Sequence, residues 1–125
     1  MTAAYDDQFI TDTEITASGA HEIARIPIAP GATAAGVAEF FIVARGSGTR
    51  ILIDEPRVRF AKGSSLNVQP LTRNEPPFVG AGLSGATLAI VADGSDIVAR
   101  VTLSSAVSIS VKVRCKISGI FGGDA

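Results

Sequence analysis

The sequence predicts an all-β fold, an antiparallel β-sandwich of jelly-roll or Greek-key kind with an extended N-terminal arm. Three observations lead there. Val107, Ile109, Val111, Val113, Cys115 and Ile117 alternate with Ser108, Ser110, Lys112, Arg114, Lys116 and Ser118. That is the pattern of an antiparallel strand with one wet face. Short β-rich runs recur along the rest of the chain between Gly-, Pro- and Asp-rich turns, as sandwiches require. One Pro/Gly-rich connection, "LTRNEPPFVGAGLSG" over residues 71–85, has the length of a crossover or a binding loop.

The elements follow in order. Residues 1–20 are polar and without clear periodicity, and are read as the arm. In "HEIARIPIAPG" Ala24, Ile26 and Ile28 share one face. Pro27 removes a ladder donor there, which places this strand at an edge or beside a bulge. "GATAAGVAEFFIVARGSGTRILI" reads as a hairpin of strands 37–45 and 49–54 about Gly46-Ser47-Gly48, with a short helix over 32–39 as the alternative. The apolar positions then change parity, from Ile51 and Ile53 to Val58 and Phe60. Asp54-Glu55-Pro56 supplies a break, so the expectation is two strands with a corner between sheets. Residues 66–70 form a short strand. Ile97, Ala99, Val101 and Leu103 mark the next-to-last strand, and the final one spans about 40 Å at 3.4 Å per residue. The expected organisation is arm 1–20, sandwich 21–119 and a C-terminal tail 120–125.

Composition bounds the function. The chain has 125 residues, 46% of them hydrophobic and only 18% charged, with 13 glycines and no tryptophan. One domain with a sizeable core fits that length. The low charge fits a surface partly covered by a partner. No apolar run approaches the ~18 residues that cross a membrane as a helix, and the N-terminus lacks the pattern of a secretory signal. A lone Cys115 excludes an internal disulfide and a CxxC metal clip. Charge is unevenly placed: Asp6, Asp7, Asp12 and Glu14 precede any basic residue, and residues 15–125 carry all 11 bases against eight acids.

The candidate chemistry is sparse. Asp93 and Asp96 could hold a metal, but calcium needs about six oxygen ligands and the D-x-[DN]-x-[DN]-G pattern is absent. Asp93-Gly94 between apolar runs is instead a strong hairpin signal, launching the long final strand. His21 is the only histidine, so any nucleophile–base arrangement passes through it. Cys115 falls on an inward position, where a thiol acts as a small hydrophobe. Asp54 and Glu55 are neighbours on extended chain and point to opposite faces. A partnership of either with Glu75 is unsupported by any pattern. "RGSGTR" lacks the Gly-Lys-Ser/Thr ending of a phosphate loop. Lys112, Arg114 and Lys116 line one exposed strand face, with Arg100 expected on a neighbouring strand. No aromatic residue lies between Phe78 and Phe121, which counts against a nucleic-acid groove. A solvated face is the ordinary reading of such a strip, and an acidic partner, such as the 1–14 arm of an adjacent subunit, is the alternative.

Two stretches, "HEIARIPIAPG…FFIVARGSGT" and "GATLAIVADGSDIVARVTLSSAVSISVKVRCKISG", resemble the small β-rich modules of tailed-phage virion proteins, of tail-fibre, neck and head-decoration type. The resemblance covers residues 20–119 in style, and the tryptophan often found near the end of such modules is missing here. It implies a jelly-roll or sandwich subunit, often trimeric, built into a phage or phage-like particle, with no catalytic residues to carry over.

The expectation is therefore a non-enzymatic virion structural protein, made in the host cytoplasm and residing in the virion, that needs no cofactor or metal. Its partners would be other virion proteins and copies of itself, with a trimer favoured and neither membrane nor nucleic acid bound directly. The arm residues Asp6, Asp7, Phe9, Asp12 and Glu14, the strip Arg100, Lys112, Arg114 and Lys116, and the loop residues Pro76, Pro77 and Phe78 are the candidate contacts. Asp93 and Gly94 are the structural turn. A receptor- or carbohydrate-binding module at a fibre tip is the alternative, and the lack of Trp and the lone Tyr5 weigh against it.

Overall fold

The computed structural model describes residues 2–28, 33–71 and 76–122. Among these residues there are ten strands: β1 (Thr2–Ile15), β2 (Gly19–Pro27), β3 (Thr33–Arg45), β4 (Ile51–Asp54), β5 (Arg57–Lys62), β6 (Leu66–Pro70), β7 (Phe78–Val79), β8 (Thr87–Asp93), β9 (Asp96–Leu103) and β10 (Ile109–Gly122). A single 3₁₀ turn covers Ala81–Leu83. All pairings are antiparallel. The strands make a seven-stranded sheet running β1-β10-β3-β4-β7, with β5 on β3 and β6 on β5, and a three-stranded sheet β2-β9-β8. The two sheets pack face to face as a β-sandwich.

β10 organises the large sheet. Its alternation puts Ile109, Val111, Val113, Cys115 and Ile117 in the core, each 2% exposed or less. A fully buried aliphatic side chain contributes about 2 kcal/mol, so this one strand anchors much of the interior. It also has ladder partners on both sides, β1 along all of Thr2–Ile15 and β3 along Thr33–Arg45. Where β10 and β3 meet at Gly119 and Gly36, side chains have no room. A Cβ at Gly119 would lie 2.5 Å from the Ala35 carbonyl oxygen, and one at Gly36 would run into the Ser118 carbonyl. Glycine at both positions lets the two backbones approach closely, one of the uses of glycine within a strand.

The stretch expected as an arm is extended, but over Thr2–Ile15 it is the edge strand of the large sheet. Among its described side chains the inward ones are Phe9, Thr11, Thr13 and Ile15, and the two threonines conceal the alternation. The Thr11 hydroxyl donates to the Ile23 carbonyl at 2.7 Å, joining β1 to β2 of the other sheet. The tail expected at 120–125 is likewise strand as far as Gly122, because β10 stays paired that far. Residues 33–39, where a short helix was the alternative, are strand.

β2 meets both expectations raised by Pro27. It is an edge strand, and its register shifts between Glu22 and Ala24. The bulge turns Ile23 and Ala24 inward together. The parity change at 51–60 has a different cause from the one expected. β4 and β5 lie end to end on the same side of β3, with Ile42 opposite Asp54 and Glu39 opposite Arg57, so no residue is gained or lost between them. Leu52, Asp54, Pro56, Val58, Phe60 and Lys62 all point inward. The expected corner between sheets is therefore corrected to an interruption within one sheet. Pro56 accepts a hydrogen bond from Phe40 N at 2.9 Å and has no N–H to return. The buried Asp54 carboxylate accepts from Glu55 N at 2.8 Å, and the buried Lys62 ammonium donates to Ile28 O at 3.3 Å.

The "ADGSD" turn joins β8 to β9, with Asp93 and Asp96 paired across a two-residue loop. Gly94 has φ +62° and Ser95 is not among the positive-φ residues, the combination of a II′ hairpin. The turn launches β9, whose neighbours are β2 and β8. The final strand lies in the opposite sheet, so the expectation that this turn leads into it is corrected.

Candidate interaction surface

The outer face of the large sheet is built from the positions that β-periodicity turns away from the core. One row across β1, β10, β3, β4 and β7 reads Asp12, Lys112, Val43, Ile53 and Phe78. The adjacent row reads Ile10, Arg114 and Phe41. Ile10 is 74% exposed, Phe78 61%, Ile53 38% and Phe41 37%. The Arg114 guanidinium stands over the Phe41 ring, 5.3 Å from its centroid, within the range of a cation–π contact. A groove of about 800 Å³ runs here, lined by Ile10, Phe41 and Val43 and by the cations Arg45, Lys112 and Arg114. Among the described residues no carboxylate lines it. Its chemistry is that of a docking surface: apolar area to bury, with positive groups around it to orient an acidic partner.

The outer face of the small sheet carries an ion-pair cluster around its hairpin. Arg25 on β2 reaches the hairpin from the side: Nη2 donates to Asp93 Oδ2 at 2.7 Å and Nη1 to Asp96 Oδ2 at 2.8 Å. Nη2 also donates to Glu22 Oε1 at 2.7 Å, and Arg100 stands 3.9 Å from Asp93. The hydrogen bond from Arg25 holds the Asp93 and Glu22 carboxyls below their ordinary range, and those bonds raise the arginine in turn. Val98 lies in register between Arg25 and Val91 on this face and is fully buried. The acidic pair does bind a cation, then: an arginine of its own chain. Sequence reading overlooked Arg25 because its partners lie 68 and 71 residues away.

Other expected contacts are distributed as follows. Lys112, Arg114 and Lys116 share the large sheet's outer face, whereas Arg100 belongs to β9 in the other sheet. The expected four-residue strip is corrected to three. The acidic stretch does lie beside it, within the same chain: Asp12 is opposite Lys112 and Gln8 opposite Lys116. Asp12 accepts a hydrogen bond from Ser110 Oγ at 3.4 Å. Glu14 is exposed on the same side. Phe9 is half-buried against the protein's own core, so that core is what its ring touches. Asp6 and Asp7 stand in β1 opposite Ser118 and Ile117, and their side chains lie outside the described residues. Pro76, Pro77 and Phe78 are exposed, and Phe78 extends the apolar row through β7.

His21 Nε2 lies 2.8 Å from Ala17 O at the start of β2, while Cys115 is buried in the middle of β10, in the other sheet. Burial pushes the Cys115 thiol up to about 12. Asp54 is buried and Glu55 exposed, on opposite faces as expected. Glu75 lies outside the described residues. Among the described residues no cluster of three His, Cys, Asp or Glu side chains is placed to hold a metal, and no helix is long and apolar enough to cross a membrane.

No family model, curated protein or solved structure matches the chain.

Proposed function

We propose that the protein is a non-enzymatic structural subunit that assembles through the open face of its large sheet. The particle is a tailed phage or phage-like virion, in its decoration, neck or tail-fibre apparatus. One observation carries the assembly reading: Ile10, Phe41, Ile53 and Phe78 are all exposed on one sheet face, while the opposite face of the sandwich carries an exposed ion-pair cluster. A contiguous apolar patch ringed by charge is the usual mark of a surface used for association. Homo-oligomerisation, with a trimer favoured, is the simplest use of such a face, since symmetry repeats one patch on every copy. The virion setting rests on the resemblance of the two β-rich stretches quoted above.

Light scattering over a concentration series tests the assembly. The wild type should exceed the mass of one chain, and Phe41→Asp combined with Phe78→Asp should reduce it to one chain while leaving the circular dichroism of the sandwich intact. A wild type that stays monomeric throughout overturns the reading. The virion setting is tested by mass spectrometry of particles purified from the source, where the chain should be present in stoichiometric amount.

A further inference from the structure

We propose that β1 is an exchangeable strand, able to leave its own sheet and complete the large sheet of a second copy along that copy's β10. This goes beyond the assembly reading and does not depend on what covers the outer face. β1 has one ladder neighbour, β10, with which it pairs from Thr2 opposite Gly122 to Ile15 opposite Ile109 without a bulge. No strand among the described residues pairs with its other side. Among the described side chains of β1, Phe9 packs against the core, Ile15 lies within it, Thr11 bonds to β2 and Asp12 accepts from Ser110 on β10. The chain leaves β1 through residues 16–18 to Gly19, which has φ +94° and open space where a side chain would stand. That exit is where the path can redirect.

Charge selects the occupant. Residues 2–15 carry four acids and no base, and the edge they cover presents Lys112, Arg114 and Lys116. No other strand of the protein has that composition. A β1 supplied by a second copy would reproduce the whole register and again set Asp12 opposite Lys112. Only the direction of residues 16–18 would change, which is why exchange of an identical element is a low-cost route to association. β10 with its edge uncovered would be a long unpaired strand, a template for the next available β1. The intramolecular arrangement wins in dilute solution through its high effective concentration, and the exchanged one gains as the protein is concentrated.

The test places one cysteine on each side of the ladder in separate chains, Asp12→Cys in one and Lys112→Cys in the other. Both positions are exposed and directly opposed, a spacing a disulfide can bridge. The two proteins are unfolded together, refolded at high concentration and oxidised only afterwards, with Cys115 shut in the core. Exchange predicts a disulfide-linked dimer joining one chain of each kind, in greater yield than when either variant is oxidised alone. The double variant carrying both changes should close its disulfide within one chain at low concentration, which certifies the geometry. No excess of mixed dimer over the separate variants, with that internal disulfide forming, overturns the proposal. Glu14→Cys with Ser110→Cys is the second pair, should the first fail to fold. Loss of the assembly in the Phe41→Asp, Phe78→Asp protein without loss of the mixed disulfide separates the two readings.

Discussion

The Arg25 guanidinium donates to the Asp93 carboxylate at 2.7 Å and to Asp96 at 2.8 Å, so a single side chain on β2 spans both ends of the β8–β9 hairpin turn. These groups are substantially exposed, and screening limits what each pair contributes. The direction of their pH dependence is nevertheless fixed. Asp93 and Glu22 are held below the ordinary carboxylate range in the folded protein. Their contribution is therefore complete above the unfolded-state value near 4 and is lost as pH falls through the lower, folded value. Arg25→Gln should lower the melting temperature at pH 7. The difference from wild type should shrink progressively as pH falls below about 4, and in 1 M salt. Thermal unfolding followed by circular dichroism checks both, and a difference that changes with neither acid nor salt would show that packing of the Arg25 stem, not charge, is responsible.

The hairpin turn itself depends on Gly94 for a conformational reason alone. At φ +62° it has nothing within 4 Å of a notional Cβ, so a substitution there strains the backbone without clashing. Gly94→Val should cost about 2 kcal/mol or more, because a β-branched residue is a poor occupant of positive φ. Gly94→Asn should cost less, since Asn visits that region more readily. Denaturant unfolding of the two variants measures the gap.

Gly119 and Gly36 present the opposite case. Neither has a positive φ, and the obstacle is a neighbouring backbone that cannot move aside. Gly119→Val should cost about 3 kcal/mol, at the upper end of overpacking penalties. Gly63→Ala is the control: nothing lies within 4 Å of its Cβ and its φ is ordinary, so the change should leave stability within about 0.5 kcal/mol. Equal effects of the two substitutions on the denaturation midpoint would contradict the close approach of β3 and β10.

How much of this was legible from sequence follows from which residues occupy the inward positions. β10 was readable because Ile109, Val111, Val113, Cys115 and Ile117 fill five successive inward positions with apolar side chains. β4 and β5 were misjoined because their continuous inward row includes Asp54, Pro56 and Lys62, while Ile51 and Ile53 point outward. Hydrophobicity then reports the wrong parity. β1 was taken for an arm because Thr11 and Thr13 sit where an alternation needs apolar residues. The open face escaped notice for a related reason: Ile10, Phe41, Ile53 and Phe78 come from four strands and converge only through register. Arg25 and Arg100 show the same limit for charge, since sheet membership decides which basic residues are neighbours.

Cys115 gives a direct reading of how firmly β10 is held. Its thiol is fully buried and pushed up to about 12, so at pH 8 the thiolate fraction is on the order of 10⁻⁴. Thiolate is the reactive form, and the folded protein should resist a maleimide reagent for hours, whereas denaturant should expose the thiol at once. Labelling in native buffer then measures opening of the strand. Gly119→Val, which loosens the β3–β10 contact four residues further along, should accelerate that labelling by the factor its loss of stability implies, about 10-fold for each 1.4 kcal/mol when opening equilibrates before reaction. Rapid labelling of the wild type would mean that β10 is more accessible than its place between β1 and β3 allows.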